Sequence, residues 1–244
     1  MGVATLLPLA DGFVLTVNRD APLSRPAALP PILHAIGTEK AVFPEDRPAG
    51  GSWIVATPRR MAFLLNGAFR VATADPKPRQ VAMPLRSRGQ VLLDYLQYET
   101  PRQFADTYPL TGINPFMMVA VDPVADATSL YELRWNGVQV YSRRLPDRQP
   151  FIWSTLDLYT DAAAELRKAW LAGFLYRKPD YTPDDLFTFH QQAGDDDPRH
   201  CYVMHRPDAG LATVSITQVI HTRQGTTMRY LDVRSGESHS IGVV

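Results

Sequence analysis

The chain of 244 residues has one cysteine, Cys201, so an internal disulfide is excluded, and a lone thiol fits a reducing compartment. It has no net charge, with 25 basic residues against 25 acidic ones. No field of one sign draws it to phosphate backbones or anionic lipid, and nucleic acid is not an expected partner. No window approaches the length of uncharged apolar sequence that spans a bilayer, and "MGVATLLPLADG" carries only a short apolar stretch with no basic flank. The expectation is a cytoplasmic protein with no membrane span. Gly2 opens like a myristoylation signal, but Leu6 stands where that signal needs Ser or Thr. No C-x-x-C, H-E-x-x-H or G-x-S-x-G occurs, so neither a tight metal site nor a serine triad has a motif to support it. Solenoid-period repeats and low-complexity tracts are also missing.

What is present reads as paired strands with covering helices. "VATLLPL" and "FVLTVN" flank Asp11-Gly12, "SWIVAT" and "MAFLLNG" flank Pro58-Arg59-Arg60, and "LYELRWNGVQVYSRRL" folds back at Asn136-Gly137, which predicts a type I′ hairpin. The first two pairs are apolar on both faces, which argues for sheets covered on both sides. "FMMVAVD" is a further strand, and "CYVMH", "ATVSITQVIHT" and "TMRYLDVR" are expected to close the chain. Helices are predicted over 87–98 and from Thr100-Pro101, where Gln103 completes a capping box. Two more are predicted at 160–175, facing inward with Leu166, Trp170, Gly173 and Phe174, and at 182–193, facing inward with Leu186, Phe189 and His190. The prolines near 26–31 and 76–84 read as surface loops. Together these features predict one domain over residues 1–244, of two sheets with outer helices.

Polar groups at strand ends are the candidate site. Asn18, Arg19 and Asp20 follow an apolar strand, where alternation puts Asn18 and Asp20 on one face and Arg19 on the other. They either cap the strand end or line a pocket. Gly50-Gly51 permits a close backbone approach or a positive φ, and Asn66-Gly67 offers either turn chemistry or an amide donor for an oxyanion. "RHCYVMHR" holds His200, Cys201, Met204 and His205, which are metal or haem ligand types, but strand alternation splits them between two faces. His190 lies on an apolar helix face and reads as a core histidine. The acidic run "GDDDP" reads as a solvated turn.

The combination of "NRD" at 18–20, "RP" at 25–26, "AGGSWI" at 49–54, "LLNG" at 64–67, "SRG" at 87–89, "YELRW", and "AGDDD" through "TVSIT" resembles the NRDE family. The resemblance covers nearly the whole chain. It implies an α+β fold, an αββα four-layer sandwich like that of N-terminal-nucleophile hydrolases. In related amidohydrolases a cysteine at position 2, exposed by removal of Met1, is the nucleophile and its own α-amine the base. By that resemblance Arg19 and Asp20 orient the terminal residue and Asn66 contributes to an oxyanion hole, with Gly2, Asn18 and Gly67 beside them. Here position 2 is Gly2, which has no nucleophilic atom, and Ala21 stands where the family name has Glu. The expected function is therefore non-catalytic binding or trafficking of a small apolar or amphipathic ligand, haem or an acyl metabolite, with haem as candidate cofactor. A cysteine amidohydrolase, should residue 2 natively be cysteine, and a structural or interaction module are the alternatives.

Overall fold

A computed structural model of the chain describes residues 2–69, 84–124 and 127–244. The expected loop at 76–84 lies almost wholly outside the described residues. The chain divides into two compact units, one formed by residues 1–27 and 150–242, the other by residues 28–149 with the last two residues.

In the first unit, β1 (Val3–Leu9) and β2 (Gly12–Pro22) form the expected hairpin, with Leu9 opposite Gly12. Gly12 is required there by close backbone contact, because a Cβ on it would lie 1.9 Å from the His221 carbonyl oxygen. After the excursion through the second unit, β10 (Phe151–Ser154) pairs with β1, while β12 (Leu211–Thr222) pairs with β2 and with β13 (Gly225–Asp232). These pairs are all antiparallel, and β14 (Ser238–Val243) completes the order β10-β1-β2-β12-β13-β14. The short β11 (His205–Arg206) joins the start of β12.

Two helices pack on one face of this sheet. α3 (Asp161–Arg177) is capped by Thr160, and α4 (Pro183–Gln192) by a capping box in which Thr182 and Asp185 exchange bonds. Leu171 and Leu186 meet Leu7 and Val14 in a buried cluster completed by Phe174 and Phe189. The inward face of α4 is as expected, whereas that of α3 needs correction. Its buried stripe is Ala163, Ala164, Arg167 and Leu171, and Leu166 is 41% exposed. An apolar-only reading misses this stripe because an arginine occupies its centre. "CYVMH" also differs, since only His205 of it is in a strand. Tyr202 and Met204 are nevertheless buried, tied by bonds from Tyr202 N–H to the Ala193 carbonyl and between Met204 and Thr213.

The second unit is a meander in sequence order: β3 (Leu29–Ile36), β4 (Glu39–Glu45), β5 (Ile54–Ala56), β6 (Met61–Asn66), β7 (Phe116–Val124), β8 (Ala127–Trp135) and β9 (Val140–Leu145). Residues 29–31, expected in a loop, belong to β3. Prolines are tolerated in it because it is an edge strand and need not donate on both sides. The β8–β9 hairpin is as expected but its turn is not type I′. Trp135 pairs with Val140, only Gly137 has a positive φ of 98°, and the Asn136 side chain accepts from the N–H groups of Val138 and Gln139. A four-residue loop closed by an Asx-type turn replaces the two-residue turn.

Between β6 and β7 the chain forms α1 (Arg88–Asp94) and α2 (Pro101–Thr107). The full capping box is at α1, between Ser87 and Gln90. At α2, Thr100 accepts from Gln103 N–H, but the Gln103 side chain accepts from Glu99 N–H, one residue earlier than a capping box requires. The architecture is α+β, with mostly antiparallel strands and four α-helices among the described residues. No described helix is long and apolar enough to cross a membrane.

Candidate functional site

The strand end "NRD" is buried throughout, with Asn18 fully so and Arg19 and Asp20 at 5% and 4% exposure. A β-bulge on β12 lies opposite it: Thr213 pairs with Asp20 and Ser215 with Arg19, leaving Val214 as the extra residue. Bulges of this kind re-aim side chains and sharpen the local twist. Asn18 and Asp20 both bond groups on the helical side of the sheet. Arg19 leaves by the other face, where its charge partly offsets the burial and the Asp232 charge that raise the Tyr230 phenol pKa.

Asp20 sits in a clamp. The Thr213 hydroxyl donates to Oδ1 at 2.6 Å, and the Tyr159 hydroxyl donates to Oδ2 in a short bond. Burial, and then the Asp20 charge, push the Tyr159 phenol far above its usual range, so it remains a donor. The Tyr159 ring lies under the Arg167 guanidinium, 3.6 Å from its centroid. Arg167 is fully buried and donates from Nε and Nη2 to the carbonyls of His200 and Cys201 at 2.9 and 2.7 Å. A buried cation is tolerable because the aromatic face and two carbonyls replace part of its hydration.

Asn18 makes a second buried network. Its Nδ2 donates to the carbonyls of His190 and Tyr202 at 3.0 and 2.8 Å, which leaves Oδ1 as the acceptor facing His190 Nδ1 at 2.7 Å. His190 Nδ1 is then the protonated nitrogen and Nε2 the acceptor, 2.8 Å from the Thr5 hydroxyl. Burial first, and the Arg167 charge second, push the His190 pKa down to about 3. Hydroxyl, imidazole and amide have the order of a nucleophile, base and orienting group. The chemistry does not follow, because all three residues are fully buried and so weak a base is no general base at neutral pH. The array fastens α4 to β1 and β2, which answers the core-histidine expectation and assigns Asn18 a packing role that sequence reasoning missed.

Gly2 is beside Asp20. Its N–H donates to the Asn18 carbonyl at 3.0 Å, its carbonyl accepts from Thr155 N–H at 2.8 Å, and a Cβ on it would lie 2.6 Å from both Asp20 carboxylate oxygens. Gly2, Asn18, Arg19 and Asp20 all belong to the first unit. Asn66 and Gly67 belong to the second, where Asn66 ends β6 opposite Phe116 and Gly67, at φ 81°, donates to the Pro115 carbonyl.

The glycine motifs of the second unit are accounted for by packing. Gly50 has φ 58°, and a Cβ on Gly51 would lie 2.5 Å from the Gly89 carbonyl carbon. A Cβ on Gly89 would in turn lie 2.8 Å from the Ser52 carbonyl oxygen. "AGGS" and "SRG" therefore meet backbone to backbone where the 46–51 turn docks on α1.

The sequence cluster of metal-ligand types does not converge. Met204 packs with Tyr159 and Ala163, the Cys201 thiol donates to the carbonyls of Asp195 and Asp197, and His205 is exposed on β11. Among the described residues no group of three or more His, Cys, Asp or Glu side chains could hold a metal ion.

The model of the family described as Transport and Golgi organisation 2 matches residues 8–167. The chain belongs to that family. The matched span includes Asn18, Arg19, Asp20, Asn66 and Gly67 but not Gly2. No curated protein matches the chain.

Proposed function

We propose that this chain is a non-catalytic member of the Transport and Golgi organisation 2 family that binds or carries a small apolar or amphipathic ligand in the cytoplasm. Haem enters this reading as cargo, beside acyl metabolites, and not as a resident cofactor. The fold expected from the family resemblance, the αββα sandwich of N-terminal-nucleophile hydrolases, is part of the same proposal.

The relation between Gly2 and Asp20 supports it. An N-terminal nucleophile needs a side-chain atom at residue 2 and room for that atom to meet a carbonyl. Gly2 supplies no such atom, and the space its Cβ would need is within 2.6 Å of a carboxylate. That carboxylate is held by Tyr159 and Thr213. Carried-over roles for Arg19 and Asp20 as orienting groups, and for Asn66 as an oxyanion donor, then have no nucleophile to serve.

Incubation of the purified protein with a panel of N-acyl amino acids, followed by measurement of released amine, tests the non-catalytic part. Release indistinguishable from the blank is expected; saturable release that disappears in Asp20→Asn would overturn it. Titration with haem, followed at the Soret band, tests the cargo. A saturable shift at micromolar haem is expected, and a flat titration removes haem from the proposal.

A further inference from the structure

We propose that a cleft within the second unit, between the end of α1 and the 108–113 segment, is the binding site for a ring-bearing monocarboxylate. This deepens the ligand-binding reading above and rests on it. The cleft has a volume of about 660 Å³, within the range of small-molecule sites. Leu85, Arg86, Asp94, Tyr98, Tyr108 and Ile113 line it, with Gln97 and Thr111.

Its wall is aromatic and braced. Phe104, buried on α2, stacks on Tyr108 at 4.7 Å between centroids and takes Tyr98 edge-on at 5.3 Å. The Tyr98 backbone is held by the Arg60 guanidinium, which donates to its carbonyl and to that of Glu99. Such rings offer flat apolar area with little conformational entropy left to lose. Leu85, at 85% exposure, extends the apolar surface at the rim.

The polar groups define the sign and size of the ligand's charge. Asp94 is already satisfied, since Arg86 Nη2 meets Oδ1 and Arg86 Nε meets Oδ2, each at 2.6 Å, and the Tyr108 hydroxyl donates to Oδ2 at 2.6 Å. It has little left to offer a cation. Arg86 is different: its side chain is half exposed and Nη1 has no hydrogen-bond partner among the described residues. That nitrogen suits one carboxylate oxygen, in a charge-assisted bond. Because the Arg86 and Asp94 charges cancel, the cleft has no surplus positive charge to hold a polyanion such as a phosphate monoester. A flat body against Tyr98 and Tyr108 with a single carboxylate at Arg86 uses both features.

Titration calorimetry with 2-naphthoate and its neutral analogue 2-naphthamide tests the assignment. Saturable binding of one equivalent is expected, with the carboxylate preferred about fivefold. Arg86→Gln should abolish that preference, Tyr98→Ala should weaken both probes about tenfold, and Lys168→Gln, exposed in the other unit, should change neither. Thr111→Trp, at an exposed lining position, should block both probes and serves if Tyr98→Ala fails to fold. Saturable binding that ignores Arg86→Gln and Thr111→Trp would overturn the cleft while leaving a ligand site elsewhere. No saturable binding of either probe would also overturn the cleft, and the haem titration above would then decide the broader ligand reading.

Discussion

A side chain at residue 2 and the carboxylate of Asp20 compete for one space, since a Cβ on Gly2 would lie 2.6 Å from each Asp20 oxygen. Asp20 cannot move aside without giving up its bonds to Tyr159 and Thr213. Gly2→Ala should therefore destabilise the protein by about 1–3 kcal/mol, the usual cost of forcing volume into a filled site. Combining it with Asp20→Gly should cost less than the sum of the two single changes. Urea unfolding of the four proteins measures the coupling, and strict additivity would show that the two groups do not compete.

The same competition bears on reactivity. A thiol introduced by Gly2→Cys is placed against a carboxylate, which disfavours the thiolate. Iodoacetamide should label it no faster than an exposed model thiol at neutral pH, with peptide mapping to separate it from Cys201. Faster labelling would show that the strand end still activates a nucleophile and would reopen the amidohydrolase reading.

His190 makes stability depend on pH in a defined direction. Its folded pKa is about 3, against about 6.5 in an unfolded chain, so between those values the unfolded state binds a proton that the folded state refuses. Stability is fully present above the unfolded value and is lost as pH falls toward the folded one. Between pH 7.5 and 5.0 the loss from this one group should be roughly 2 kcal/mol. His190→Gln should be less stable at pH 7.5 yet lose correspondingly less on acidification. Parallel pH profiles for the two proteins would mean that His190 is not buried and neutral.

Arg167 should be intolerant of lysine. The substitution keeps the charge but removes the planar group that stacks on Tyr159 and reaches two adjacent carbonyls. A loss of about 2–4 kcal/mol in urea unfolding is expected. Retention of wild-type stability would show that neither the stacking on Tyr159 nor the paired carbonyl bonds hold this residue in place.

Gly89→Ala should destabilise although alanine is the better helix former. A Cβ there meets the Ser52 carbonyl at 2.8 Å, and this contact is with backbone, which cannot rotate away. A loss of about 2–3 kcal/mol is expected, against about 1–2 kcal/mol at Gly37, whose φ is 59° but whose Cβ would meet nothing within 4 Å. Equal effects at the two positions would remove the packing account of "SRG".

Local pattern was enough for elements whose causes are local. The β1–β2 and β8–β9 hairpins, β5, β6 and β7 followed from apolar runs and turn residues, and α4 followed from Thr182, Pro183 and one apolar stripe. Where two signals conflicted, pattern failed: prolines at 30 and 31 hid β3, whose place at a sheet edge makes them harmless, and Arg167 hid the buried stripe of α3. Local sequence marked "NRD" as unusual but left open whether it capped a strand or lined a pocket. Only the tertiary structure decided what each of its residues touches, because the partners are distant in sequence: Asn18 and Thr5 meet His190, and Asp20 meets Tyr159 and Thr213. A single residue type carries no record of a partner more than a hundred positions away. Gly2 shows the same division most simply, since the sequence determined that residue 2 has no side chain, and folding alone brought a carboxylate into the space that one would fill.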